Sequence, residues 1–435
     1  MSDNRSLVLV LQILGLGTNS QAWRLPDSPA ERLYDLDLYS EIAQAAEAAK
    51  IHSLFLSDGV GTGLERPNGH FEPFTFQTAL AARTSRIGVV VTASTTFNAP
   101  FNLARITASL DHLSKGRAGW NIVTSSAGER NFGTDPLPPH DERYARAEEY
   151  VSAVKALWES WDADARVIDR EAGVFVDPGK VRRTNFVSEH YSVEGPLNVD
   201  RSPQGVPFLF QAGSSTAGVD FGARHADAIF TSQPDLDEGM RFYKNYKERV
   251  AAAGRNPDDV KILPGLYTVI ERTEAHARET AGRLAELAAG ADWNVMRKNF
   301  ESTGFGGVDL SDLDPDRPIP LDRLPAVEDV QGRRSRYELY RRWVLAGDRT
   351  LRQLVEHNNA AASGHWDPVG SVEQIADEIQ ERFEARALDG VVISPQHFGG
   401  YRVITDHLVP ELQRRGLFQT EYAGDTLRYN VLGHH

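Results

Sequence analysis

The feature of this sequence that most constrains its fold is a regular alternation of apolar segments with amphipathic helical segments along the whole chain. Eight short apolar segments are strand candidates, at 6–14, 53–57, 87–93, 117–124, 206–212, 227–231, 260–270 and 389–394. Helical periodicity separates them, for example at 38–50, 141–161 and 371–387. Continuous apolar strands that alternate with helices are typical of a parallel sheet covered on both faces. Eight such units favour an α/β fold of the (β/α)8 TIM barrel type over a doubly wound sheet.

Two long stretches interrupt this alternation, and we call them the first and the second insertion. The first insertion, 162–205, is mostly polar, and a hairpin is predicted around His190–Val199. The second insertion, 288–370, contains an acidic segment and the basic segment GRRSRYELYRRW, without a clear strand. Long connections inside a domain are often lids or binding elements. We therefore predict one barrel domain over 1–435, whose insertions act as lids, cover the barrel or form a subunit contact.

Composition excludes several kinds of site and partner. The chain has no cysteine, which rules out disulfides and a cysteine nucleophile and fits a cytoplasmic protein. Its net charge of −14 disfavours nucleic acid and anionic membranes as partners, so a small-molecule ligand is expected. The 13 histidines show no metal-ligand spacing, and we predict no metal site. No apolar run approaches the roughly 20 residues that span a bilayer, and the N-terminal apolar run is interpreted as a strand.

Polar residues stand where the chemistry of such barrels lies, at the C-terminal ends of the strands. Asn121 is part of the fourth strand, although a buried amide without partners costs about 1–3 kcal/mol. The other candidates are hydroxyl, imidazole and carboxylate groups in the loops after strands two to four, namely Asp58, Thr95, Thr96, His140 and Tyr144. Few charges accompany them, and this composition suits a neutral heterocycle that carries an anionic tail.

Gly213, Ser214 and Ser215 follow the fifth strand and precede a helix, a pattern that suits a phosphate site. Glycine permits a close approach of the backbone, and hydroxyls together with the free N–H groups of a helix start bind phosphate. An ordinary serine N-cap is the alternative. His140 and Tyr144 lie one helical turn apart and can face the same side. A capping role for His140 and a loop contact for Asp58 also remain open.

Several ordered motifs extend through nearly the whole chain, among them GRAGWNIVTSS, HDERYARAEEYV, FQAGSS and LFQTEYAGDTLRYN. They resemble the nitrilotriacetate monooxygenase group of the bacterial-luciferase-like flavin monooxygenases. Dibenzothiophene-sulfone, EDTA and long-chain alkane monooxygenases are relatives of this group. The resemblance implies a (β/α)8 barrel with long insertions, but it does not specify the substrate.

The resemblance also implies a two-component, FMN-dependent monooxygenase. A separate NAD(P)H-dependent flavin reductase would supply FMNH2, which reacts with O2 to a C4a-(hydro)peroxide that oxygenates a small organic substrate. Matched residue by residue, the expected flavin contacts are Asp58, Thr95 or Thr96, Asn121, His140, Tyr144, Ser214 and Ser215. Asn121 and His140 are also the candidates for a catalytic role. A deazaflavin-dependent oxidoreductase and a flavin-binding protein without turnover remain alternatives, and a homo-oligomer is expected.

Two segments depart from the pattern of the relatives, and both are expected to border the substrate. They are 18–21, where relatives often have a His-Pro pair, and 394–398 after the eighth strand. Strand eight of a closed barrel pairs with strand one, so both segments should lie on the same side of the mouth. The candidate substrate contacts are Asn19, Trp23, His397 and Phe398. No cationic cluster accompanies them, which predicts a neutral or weakly charged, cyclic or aromatic substrate unless Arg24 or arginines of 333–342 lie at the mouth.

Overall fold

Eight parallel strands close into a barrel, as the alternation of apolar and helical segments predicts. The computed structural model describes residues 5–61, 69–134, 136–213, 215–290, 292–330, 334–347, 349–359 and 364–434. The barrel strands, β1 to β8 in chain order, are Val8–Gln12, Ser53–Leu56, Gly88–Ser94, Ala118–Val123, Phe208–Ala212, Ala228–Thr231, Lys261–Glu271 and Gly390–Pro395. Each strand pairs with the next in the chain, and β8 pairs with β1, so the sheet has no open edge. The predicted (β/α)8 fold is confirmed.

Helices surround the barrel, and several of them begin at a side-chain cap. The helices, α1 to α13 in chain order, are Leu36–Ala48, Pro73–Ala81, Pro100–Ser114, His140–Trp158, Thr216–His225, Leu236–Ala252, Glu274–Ala289, Trp293–Thr303, Arg334–Ala346, Leu351–Asn359, Val372–Glu384, the continuous run 400–414 and Leu427–Leu432. Such caps begin α1, α5, α6 and α11, and in α11 Ser371 and Gln374 form a capping box. No helix in the described ranges is long and apolar enough to cross a membrane.

The last helix closes one end of the barrel and thereby leaves the opposite end for chemistry. Leu427 and Val431 of α13 belong to the same apolar cluster as the side chains inside the barrel. The Leu427 N–H donates to the carbonyl of Gly116, which lies just before β4, at 2.9 Å. A Cβ at Gly88, the first residue of β3, would be 2.6 Å from the Leu427 side chain. Helix α13 therefore closes the barrel at the N-terminal ends of the strands. The open end of the barrel, its mouth, is at their C-terminal ends.

The first insertion forms two small hairpins on the flank of the barrel. The paired strands are Arg166–Asp169 with Val174–Val176, and Phe186–Val187 with Ser192–Val193. The second hairpin therefore begins before the predicted His190–Val199. Two groups of this insertion, the hydroxyl of Ser188 and the N–H of His190, donate to Glu149 in α4 at 2.7 and 2.8 Å. These contacts place the second hairpin beside α4, and the lid role expected for the insertion stays a prediction.

The second insertion forms a helical unit with its own core, between α7 and α11. The apolar residues that hold α8, α9 and α10 together include Phe300, Tyr337, Tyr340 and Leu354, all of them buried. After α10 the chain returns along β7, where the Tyr267 N–H donates to the Trp366 carbonyl at 2.8 Å. A short strand, Val369–Ser371, then pairs with the end of β7. The second insertion thus passes beside the mouth of the barrel.

Candidate active site

The buried amide of Asn121 points into the mouth with its orientation set by Thr92. The Asn121 Nδ2 group donates to Thr92 Oγ1 at 2.9 Å, and Thr92 Oγ1 donates its own hydrogen to the Leu56 carbonyl at 2.7 Å. Since the Thr92 hydrogen is already used, Thr92 can only accept from Asn121. The amide oxygen of Asn121 is therefore turned away from Thr92, and among the described residues it has no hydrogen-bond partner.

Thr95 and Thr96 join the loop after β3 to the end of β4. Their hydroxyls donate to the carbonyls of Val123 and Thr124, at 3.4 and 2.7 Å respectively. Ser125, which follows, has a φ of 50° although it is not glycine, and its hydroxyl bonds Ser94 Oγ at 2.7 Å. A residue in the left-handed region costs on the order of 1 kcal/mol. The loop is thus held in a strained conformation next to Asn121.

Gly213 and Gly218, at the start of α5, lie against the hydroxyl of Tyr144. A Cβ on Gly213 would be 2.9 Å from Tyr144 Oη, and a Cβ on Gly218 would be 2.8 Å from it. Only glycine at both positions leaves this space for a ligand or for the tyrosine. Burial raises the pKa of the Tyr144 hydroxyl, while its side-chain contacts with Ser215 and Thr124 oppose that shift. Tyr144 is consequently a neutral hydrogen-bond donor at physiological pH.

Ser215 caps α5, and its hydroxyl accepts from the Gly218 N–H at 3.2 Å. The cap and the phosphate interpretation are compatible, because a serine hydroxyl that accepts one bond still has its own hydrogen to donate. Gly213 and Tyr144 lie beside it, as predicted from the sequence. Ser214, the third predicted phosphate contact, is outside the described residues.

His140 begins α4, and its ring lies 5.0 Å from that of Tyr144, centroid to centroid. His140 and Tyr144 therefore lie close together, as predicted. Nδ1 of His140 lies 2.7 Å from Oδ1 of Asp141. Burial lowers the pKa of His140 below its ordinary value, and the neighbouring carboxylate only partly offsets this effect. The imidazole is neutral at physiological pH.

Asp58 stands at the β2 side of the mouth, where its carboxylate lies 3.1 Å from Nε2 of His70. The preceding residue, Ser57, accepts from Nε2 of Gln12 at 3.1 Å. Gln12 in turn accepts from the hydroxyl of Ser394 through its amide oxygen. A polar chain therefore crosses the ends of β2, β1 and β8, with Asp58 at its outer end.

The two segments that depart from the relatives are adjacent, as predicted. The N–H groups of Thr18 and Asn19 donate to the carbonyls of Pro395 and Gln396, both at 3.1 Å. The Asn19 side chain accepts from the Gln21 N–H at 2.9 Å, which shapes the loop after β1. Trp23 is 57% exposed, so its ring is available at the surface of this loop.

His397 and Phe398 have contacts in the outer layer of the barrel. His397 is 3% exposed, and its Nε2 lies 3.4 Å from the Glu271 carboxylate. Burial lowers the pKa of His397. Phe398 packs edge-on against Tyr401, in the core between strands and helices. These are the contacts of packed residues, and the substrate assignment of His397 and Phe398 stays a prediction.

Two arginines of the basic segment reach the mouth. Arg334 lies 3.0 Å from Asp141, the neighbour of His140. Arg336 donates to Ser232 at 2.9 Å and lies 3.2 Å from Nε2 of His365. The prediction of a neutral or weakly charged substrate assumed that no cationic cluster lies at the mouth, and it stays a prediction. Arg333 is outside the described residues.

A His365 ring covers the barrel interior near Arg336. It stacks on Phe230 and Tyr267, with centroids 5.2 and 4.4 Å away. A Cβ on Gly265 would be 2.5 Å from its Nδ1. Periodicity gave no signal for His365 or for Arg334 and Arg336, since all three belong to the second insertion. Thr92 was also missed, although its place two residues before the end of β3 puts it on the same face as Ser94.

Within the described ranges, one group of possible metal ligands has atoms within 4.8 Å of one another, namely Glu149, Glu189 and His190. It lies on the flank, where Glu149 already accepts from Ser188 and His190. This group is separate from the mouth.

The residues at the mouth fit a flavin mononucleotide. The buried amide oxygen of Asn121 is an acceptor without a described partner, and a flavin ring offers N–H groups that would suit it. The hydroxyls of Tyr144 and Ser215 and the start of α5, beside Gly213 and Gly218, are donors that would suit a phosphate. This ligand requires an acceptor for its ring and donors for its phosphate at the same end of one barrel.

Comparison with known proteins gives the same assignment. The profile of the family described as luciferase-like monooxygenase matches residues 18–389. N-acetyl-S-(2-succino)cysteine monooxygenase of Bacillus subtilis (strain 168) is 41% identical over 433 residues, covering 98% of this chain and 96% of that protein. Nitrilotriacetate monooxygenase component A of Aminobacter aminovorans is 38% identical over 446 residues, with the same coverage of 98% and 96%.

Among solved structures, riboflavin lyase in complex with modified FMN and riboflavin superposes with a TM-score of 0.87. It is 30% identical, and the match covers 99% of this chain and 96% of that one. The resemblance to the nitrilotriacetate monooxygenase group is thereby confirmed. This protein belongs to the luciferase-like monooxygenases, a family of flavin-dependent oxidoreductases.

Proposed function

We propose that this protein is the oxygenase of a two-component system, which takes FMNH2 from a separate NAD(P)H-dependent flavin reductase and uses O2 to oxygenate a small organic substrate. The observation that carries the proposal is the buried acceptor of Asn121, at the same end of the barrel as the hydroxyls of Tyr144 and Ser215 beside Gly213 and Gly218. The name of the relative from Aminobacter, component A, supports the need for a second component.

In this proposal Tyr144, Ser215 and the start of α5 hold the phosphate, and Asn121 accepts from the flavin ring. Bound reduced FMN supplies the activation of O2 and the transfer of one oxygen atom. His140, neutral and nearly buried, holds or accepts a proton beside Tyr144. The second insertion limits the access of water to the mouth, which suppresses the loss of reducing equivalents as hydrogen peroxide.

Reduced FMN is expected to bind more tightly than oxidised FMN. A reduced flavin ring carries additional N–H groups, and Asn121 offers an oxygen that only accepts. NADH and NADPH are not expected to bind, since no dinucleotide fingerprint follows β1. Anaerobic titration of the flavin-free protein measures all four ligands. Equal affinity for both redox states of FMN would argue against the assigned role of Asn121.

Catalysis itself is tested with a flavin reductase, NADH, FMN and candidate substrates, by following oxygen consumption and oxygenated products. Substrate-dependent product distinguishes an oxygenase from a protein that only binds flavin. The deazaflavin alternative is not favoured, because the curated relatives reported above are monooxygenases. Consumption of NADH that yields hydrogen peroxide alone with every candidate would contradict the proposal.

The positive charges at the mouth favour a substrate with carboxylate groups. Arg336 supplies such a charge, whereas Arg334 is paired with Asp141, and the two relatives above are named for compounds with succino and acetate groups. Nitrilotriacetate and N-acetyl-S-(2-succino)cysteine are therefore expected to be turned over better than their neutral methyl esters. A charge-assisted hydrogen bond contributes about 1.5–3 kcal/mol, so loss of one guanidinium should raise KM about tenfold or more.

The matched variants for this prediction lie on one helix. Arg336→Gln should raise KM for the acids, whereas Arg342→Gln should not, because Arg342 pairs with Glu238 at 2.9 Å on an exposed surface. Better turnover of the esters than of the acids would instead support the prediction of a neutral substrate.

A further inference from the structure

The imidazole of His140 is held by the residue that follows it. Oδ1 of Asp141 lies 2.7 Å from Nδ1 of His140. The carboxylate is ionised, because the hydrogen bond with His140 lowers the pKa of Asp141 below its ordinary value. An ionised carboxylate only accepts hydrogen bonds, so Nδ1 carries the hydrogen and Nε2 is the nitrogen with the lone pair. The tautomer of the ring is thus determined by Asp141.

The same carboxylate oxygen has a second partner from the second insertion. Nη1 of Arg334 lies 3.0 Å from Oδ1 of Asp141. The other donors of Arg334 bond the carbonyls of Val330 and Glu328, at 2.8 and 3.0 Å. The guanidinium therefore joins the start of α9 and the segment before it to the start of α4. Asp141 is the bridge between the second insertion and the ring of His140.

We propose that Asp141 and Arg334 are positioning residues for His140, which hold its ring with the hydrogen on Nδ1 and tie the second insertion to the mouth of the barrel. This inference rests on the role of His140 in the proposed function. It gives a role to two residues that are not among the expected flavin contacts. It also identifies the contact by which the second insertion acts on His140.

The two charges act on the imidazole in opposite directions. Burial is the largest influence and lowers the pKa of His140, Asp141 raises it, and Arg334 and Arg143 lower it. Tyr144, whose ring faces the imidazole, is neutral at physiological pH. Removal of Asp141 should therefore lower the pKa of His140 further, and removal of Arg334 should raise it. A residue that only maintains the fold would not produce shifts of opposite sign.

An acidic residue in the first turn of a helix also stabilises that helix through its dipole. Glu142, the next residue of the same turn, serves as the matched control, since its partner is Arg146 rather than His140. Asp141 is 76% exposed, so its replacement leaves the core intact. Glu142→Gln removes the same charge from the same turn and should leave the ring of His140 unchanged.

The test uses the flavin-free full-length protein with ¹⁵N-labelled histidine. Two-bond ¹H–¹⁵N correlation spectra report the tautomer and the pKa of each ring, and the His140→Asn variant assigns the resonance. The wild type should show hydrogen on Nδ1. Asp141→Ala should move the population toward hydrogen on Nε2, whereas Asp141→Asn, whose amide oxygen still accepts, should retain the native tautomer with a lower pKa. Arg334→Gln should raise the pKa.

An unchanged tautomer and pKa in Asp141→Ala would overturn the proposal, as would shifts of the same sign in Asp141→Ala and Arg334→Gln. A second measurement separates this inference from the proposed function. Affinity for reduced FMN should fall severalfold in both Asp141→Ala and His140→Asn. If the spectra follow the expectation but His140→Asn binds reduced FMN like the wild type, the positioning role stands and the flavin contact of His140 is wrong.

Discussion

The Ser215→Asp variant is expected to bind FMN about 100-fold more weakly than the wild type while its fold remains intact. Aspartate caps a helix as well as serine does, so the cap bond to the Gly218 N–H is retained. Its negative charge, however, lies beside the phosphate of the bound flavin and repels it. A change of 100-fold in Kd corresponds to about 2.7 kcal/mol. Quenching of flavin fluorescence at constant ionic strength measures this change.

Two controls separate the phosphate site from an ordinary helix cap. Ser215→Asn caps the helix without adding charge, and its FMN affinity should remain within a few-fold of the wild type. Riboflavin, which lacks the phosphate, should bind Ser215→Asp and the wild type alike. If FMN and riboflavin lose the same affinity, Ser215 is only a cap and the phosphate lies elsewhere.

The Asn121→Leu variant should lose about tenfold or more in affinity for reduced FMN without becoming less stable. The amide oxygen of Asn121 is buried and has no partner within the described ranges, and such a group costs about 1–3 kcal/mol. Leucine has a similar size and removes this cost, while Thr92 keeps its bond to the Leu56 carbonyl. The bound flavin, in contrast, loses an acceptor.

Two measurements test this variant, and a second variant tests the orientation of the amide. Denaturant unfolding of the flavin-free protein gives the free energy of unfolding, and anaerobic titration gives the affinity for reduced FMN. Thr92→Val removes the group that orients Asn121, so it should weaken binding and also cost about 1 kcal/mol of stability. A large loss of stability in Asn121→Leu with unchanged flavin affinity would show that Asn121 is a structural residue.

The barrel could be predicted because its strands are continuous apolar segments that are buried on both faces. The fourth strand, for example, was predicted at 117–124 and is Ala118–Val123. The hairpin of the first insertion was predicted at the wrong position. It is formed by Phe186–Val187 and Ser192–Val193, whereas His190–Val199 was predicted. Its strands are two residues each and partly exposed, and strands of that length have no periodicity to detect.

The sequence by itself determined the barrel, the amide within β4, and the glycine and serine before α5, because burial patterns and capping residues act over a few neighbouring positions. Only the tertiary structure decided what those groups contact. Thr92 orients Asn121 across 29 residues, and Arg334 reaches Asp141 across 193. Such contacts depend on strand register and on the path of the second insertion. Local periodicity contains no information about either, which is why the charge at the mouth was unknown until the chain was folded.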